Sequence, residues 1–205
     1  MNTFTKTALM GATLLSAATM VHADNEVSLT NNYLLTDDLT IAQNAAKVRD
    51  FSTLMIAVDA AGLSDELGGE GPYTIFAPTD AAFAELPEGT VENLLLPENR
   101  DALIALVSAH VVPASIVAKD FELAEVGEGS IENGTIHATL DGTMVSMDTI
   151  SQTDLAVKKI GDAYYIDAYL DDEDTINPTT TIIYSDIMSS NGVIHIIDKV
   201  LQPGA

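Results

Sequence analysis

An α+β fold is what this sequence predicts: a single domain with its helices gathered toward the N-terminal half and a meander of strands after them. Three observations carry that expectation. Apolar residues recur at helical spacing up to about Phe121. Beyond it the period shortens to two, and turn dipeptides punctuate the runs. The 205 residues are 47% hydrophobic, which suffices for one core and requires no second domain.

The first 23 residues stand outside the fold. Lys6 opens a short polar start, an apolar run follows from about Ala8, and Val21-His22-Ala23 fits the small-x-small rule of a signal peptide, with cleavage expected after Ala23. Residues 24–38 are polar and read as an arm or linker, so the domain is expected over 39–203. No stretch after the signal peptide is long and apolar enough to span a bilayer, so the expected destination is the periplasm or the outside of the cell, with no stable membrane insertion.

Within the domain, Phe51, Leu54, Met55, Val58 and Ala61 mark one buried helix face, with Asp50 and Ser52 as cap candidates. "GLSDELGGEGP" gives one helical turn and a glycine-rich break. Tyr73–Ala77 reads as a strand stopped by Pro78, and Thr79 and Asp80 as caps of a short helix carrying Ala82, Phe83 and Leu86. A helix, a proline break at Pro97 and a second helix follow, with Leu103, Leu106, Val107 and His110 on one face. Asn133-Gly134, Asp141-Gly142 and Gly161-Asp162 suit tight hairpin turns, residues 170–181 read as an acidic loop, and two final strands close the domain.

Charge and composition exclude whole classes of function. Thirty-one acidic against eight basic residues give a net charge of −23, which repels nucleic acid and anionic lipid. The absence of cysteine removes disulfides, thiol catalysis and thiolate metal sites. No nucleophile elbow, zinc-protease motif, P-loop or dinucleotide fingerprint occurs, so neither an enzyme nor a cofactor is expected.

Three blocks in order resemble the fasciclin (FAS1) domain: "YTIFAPTDAAFAELP", "LLLPENRDALIALVSAHVVPA" and "NGVIHIIDKVLQP". The resemblance implies a FAS1-type wedge of β-strands with helices packed alongside it. It also implies a role in adhesion, the binding of a cell-surface or matrix protein or glycan, rather than turnover. The chain departs from the pattern at Ala109, where a tyrosine is expected, at Ala114, where a glycine is expected, and over about 148–181, which is longer and more acidic. Asp186-Ile187 resembles an Asp-Ile pair that animal members use in receptor recognition. A strand end with Asp186 bonding local backbone is the plainer reading.

The histidines divide by surroundings. His195 lies in "VIHIID", apolar on both alternating sets, and is expected as a core residue bonded to backbone or to Thr79 or Asp80. His110 is expected in the core on its helix face, and His137 at the surface as a contact candidate. Asp167, Asp171, Asp172, Glu173 and Asp174 read as a solvated run, with weak Ca²⁺ binding as the alternative. A second functional reading is a carrier holding a small apolar ligand between helices and sheet, lined by Met144, Met147 and Tyr164 to Tyr169.

Overall fold

The computed structural model describes residues 35–121, 136–138, 144–151, 154–167 and 180–202. Six α-helices are present among them: α1 (Ile41–Ala45), α2 (Ser52–Ala61), α3 (Ser64–Leu67), α4 (Asp80–Ala84), α5 (Thr90–Leu94) and α6 (Arg100–Ser108). The strands are β1 (Tyr73–Pro78), β2 (Val111–Val112), β3 (Ile136–Ala138), β4 (Met144–Asp148), β5 (Asp154–Ile160), β6 (Ala163–Asp167), β7 (Thr180–Ser189) and β8 (Gly192–Ile197). They form one sheet in the order β2-β1-β8-β7-β6-β5-β4-β3. The α+β expectation holds, with all six of these helices before the meander that runs from β3 to β8.

Next to the edge strand β2, β1 and β8 run parallel, with Phe76 opposite His195 and Pro78, the last strand residue, opposite Ile197. All six residues of β8 are buried, as a strand covered on both faces requires. Ile194 and Ile196 join the helix-side cluster with Phe51, Leu54, Val58, Leu103 and Val107. Ile197 belongs to a second cluster on the opposite face, with Phe76, Leu155, Val157, Ile166 and Leu201. That cluster also takes Ile116 and Phe121 from the segment after β2. The alternating residues of one strand thus serve two cores, which is why the run has no polar face.

Local rules explain most element ends. Thr40 and Gln43 form a capping box on α1, and the Thr79 hydroxyl accepts the Ala82 N–H at the start of α4. β5 and β6 turn through Gly161-Asp162, where Gly161 takes φ 64°, as the first position of a two-residue turn favours. β3 pairs antiparallel with β4. The turn at Asp141-Gly142 between them lies outside the described residues, as does Asn133-Gly134.

The cap of α2 differs from the expectation. Neither Asp50 nor Ser52 caps it; Phe51 occupies the cap position and makes no side-chain bond. The cap comes from 27 residues away: the Asp80 carboxylate accepts the Thr53 N–H at 2.7 Å and the Ser52 hydroxyl at 2.5 Å. Asp80 is therefore half-exposed and not a core residue. Burial raises its pKa, but hydrogen bonds from Ser52 and Thr53 outweigh that and hold it below the usual carboxylate value.

Candidate functional site

His195 stacks on Phe76 at 5.4 Å between ring centroids and tilts against Phe121 at 5.6 Å. Its Nδ1 accepts the Asp186 N–H at 3.3 Å, so the ring proton sits on Nε2, which donates to the Ile116 carbonyl at 2.9 Å. Neither Thr79 nor Asp80 bonds this ring; both partners are backbone. Burial pushes its pKa down, against smaller upward pulls from the Ile116 carbonyl and the Asp186 and Asp120 carboxylates.

Asp186 lies inside β7, not at a strand end. The β7–β8 register slips on either side of Tyr184, and Asp186 takes φ 62°, an uncommon conformation for a residue with a side chain. The bulge aims its N–H at His195, while its carboxylate accepts the Ala118 N–H at 2.7 Å, 68 residues away. Ile187 is half-buried against the helix-side core. On the same segment, the Thr74 hydroxyl donates to the Ala114 carbonyl at 2.7 Å and accepts the Ile116 N–H at 2.8 Å. Thr74, Asp186 and His195 together fasten residues 114–118 across the sheet.

His110 sits two residues past the end of α6 and is buried. Its Nδ1–H donates to the Leu106 carbonyl at 2.7 Å, and its Nε2 accepts the Leu201 N–H at 2.9 Å. Burial lowers its pKa to about 4, against a smaller upward pull from the Leu106 carbonyl. Both buried histidines are thus neutral and have both ring nitrogens committed to backbone. Neither is positioned to take up a substrate proton or a metal ion. No group of three or more metal-ligating side chains occurs among the described residues.

His137 belongs to β3, opposite Ser146. Asp167 is the last residue of β6, while Asp171, Asp172, Glu173 and Asp174 lie outside the described residues. Of the groups expected to line an apolar ligand groove, Ala168 and Tyr169 lie outside the described residues, and Met147 and Tyr164 lie elsewhere than between helices and sheet. Met147 is packed in the cluster on the face away from the helices, with Tyr164 against it. The cavity between helices and sheet is lined instead by residues such as Leu54, Val58, Val107 and His110, and its volume is about 30 Å³. That is space for about one water, far below the several hundred Å³ of a small-molecule pocket.

Asn191 reaches several distant elements from its turn. Its Oδ1 accepts the Ile41 N–H at 2.8 Å at the start of α1, its Nδ2 donates to the Leu67 and Gly69 carbonyls at 2.9 Å each, and its own carbonyl accepts the Tyr73 N–H at 3.0 Å. Gly192 follows with φ 152°, and a Cβ there would overlap the Tyr73 carbonyl. Beside this knot opens a surface recess of about 560 Å³, lined by Thr40, residues 69–72, Ser115 and residues 188–192. The Asn-Gly pair reads in sequence only as a turn; nothing local signals its partners up to 150 residues away.

The fasciclin domain family model matches residues 49–203. Protein sll1483 of Synechocystis sp. is 41% identical over 165 residues, covering 80% of this chain and 74% of that protein. Transforming growth factor-beta-induced protein ig-h3 of Sus scrofa is 30% identical over 183 residues, covering 89% of this chain and 22% of that one. Among solved structures, a FAS1 domain pair from the insect cell adhesion molecule fasciclin I is similar in fold. Its TM-score is 0.61 at 16% identity, over 80% of this chain and 50% of that one.

Proposed function

Because the chain belongs to the fasciclin domain family, we propose that it is an exported, non-enzymatic interaction module that binds a cell-surface or matrix protein or glycan. The observation that carries this reading is the fate of its chemistry-bearing side chains. His110 and His195 are buried, neutral and bonded to backbone through both nitrogens, so they hold the fold together and leave recognition to the surface. The fold it shares with a pair of domains from an insect cell adhesion molecule supports the same reading. The signal peptide read over residues 1–23 is what supports export. Among the described residues no helix is long and apolar enough to cross a membrane. Deleting the gene in the source organism and scoring attachment to surfaces and to neighbouring cells tests the proposal. Impaired attachment, restored by the intact gene, is expected; unchanged attachment counts against it.

A further inference from the structure

The recess beside Asn191 has features that select a ligand. Its floor is fixed, because Asn191 holds the starts of α1 and β1 and the end of α3 in one knot, and added Cβ atoms at Gly71 or Gly192 would overlap backbone. Among the described residues that line it, Glu70 is the one that carries a charge, and it is exposed. Thr40, Ser115 and Ser190 also line the recess and bring hydroxyl groups to it. Met188, 46% exposed, forms an apolar part of the wall.

These features discriminate among ligand classes. Among the described residues no aromatic ring lines the recess for a sugar to stack on. One carboxylate is too few for Ca²⁺, whose protein sites gather six to eight oxygens. An anion would meet Glu70 and a chain of net charge −23. A guanidinium fits: it is planar, always charged, and spreads five N–H donors over several acceptors, while its aliphatic stem covers a methionine.

We infer that this recess receives an arginine side chain of a partner protein, with Glu70 accepting the guanidinium, the flanking hydroxyls completing its hydrogen bonds, and Met188 packing on the stem. The inference rests on the reading of the chain as an interaction module. It is tested with a small probe, so it succeeds or fails whether or not a macromolecular partner is captured.

The test is a titration of the isotope-labelled protein with N-acetyl-arginine amide, followed by backbone amide NMR at physiological salt, with the glutamate analogue as control. Shifts are expected at residues 69–71 and 190–192, and none there with the glutamate analogue. Glu70→Gln should weaken the arginine probe about fivefold or more, as loss of a charge-assisted bond does. Glu92→Gln, an exposed charge outside the recess, should leave it unchanged. Ser115→Trp keeps every charge and should block entry by bulk. Shifts spread evenly over the acidic surface, equal losses in Glu70→Gln and Glu92→Gln, undiminished binding in Ser115→Trp, or no shifts at all would each overturn the inference.

Discussion

Acidification from pH 7 to pH 5 should remove stability that His110 supplies only while neutral. Its pKa is about 4 in the folded chain and 6.5 without burial. Between those values the unfolded chain binds the proton and the folded chain does not. The contribution is therefore complete above 6.5 and is lost as the pH falls toward 4. The gap is worth ~3 kcal/mol in total, of which ~2 kcal/mol disappears between pH 7 and pH 5. His195, whose pKa is also lowered, acts in the same direction. An opposing effect accompanies both, because acid relieves self-repulsion in a chain of net charge −23. The comparison that isolates His110 is with His110→Gln, which can still donate to the Leu106 carbonyl and accept the Leu201 N–H but does not titrate. Urea unfolding of both proteins at pH 7, 6 and 5, at constant ionic strength, is the assay. The stability advantage of the wild type should shrink by ~2 kcal/mol across that range. Parallel pH profiles would refute the assignment of His110 as a buried neutral group.

Three further outcomes follow from the geometry. Gly192→Ala puts a Cβ against the Tyr73 carbonyl and should cost at least ~2 kcal/mol by denaturant titration. Asp186→Ala strips the Ala118 N–H of its acceptor and should cost ~1–3 kcal/mol, with Asp186→Asn recovering most of it in thermal melts. A loss of adhesion in Asp186→Ala is therefore interpretable only beside Asp186→Asn. Asp80→Ala removes the cap of α2 and should cost ~1 kcal/mol at neutral pH. That cost should fade as the pH drops through the lowered pKa of Asp80, because the carboxylate that makes the cap is then protonated in the wild type too.

What was legible in the sequence was local. The buried face of α2, the two-sided burial of β8 and the turn at Gly161 each announce themselves within about ten residues, through periodicity or a turn dipeptide. The burial of His195 followed from its apolar neighbours, but its bond to Ile116 spans 79 residues and has no sequence signature. Asp80 was legible as a cap and assigned to the wrong helix, because a carboxylate beside Thr79 looks local when its donors are 27 and 28 residues back. Asp186 reads in sequence as a strand end bonding local backbone, and only the β7–β8 register reveals a bulge inside a strand. The recess was invisible for the same reason: Thr40, Glu70, Ser115 and Asn191 meet only when the sheet closes.

The measurement that bears most directly on the interaction-module account is a pull-down. Residues 24–205 are immobilised and exposed to solubilised envelope and matrix fractions of the source organism, and the retained material is identified by mass spectrometry. The account predicts specific retention of a protein or glycan by the folded chain, reduced in Glu70→Gln and absent with the heat-unfolded chain. Retention indistinguishable between folded and unfolded chain, or turnover of a retained molecule instead of stable binding, would contradict it.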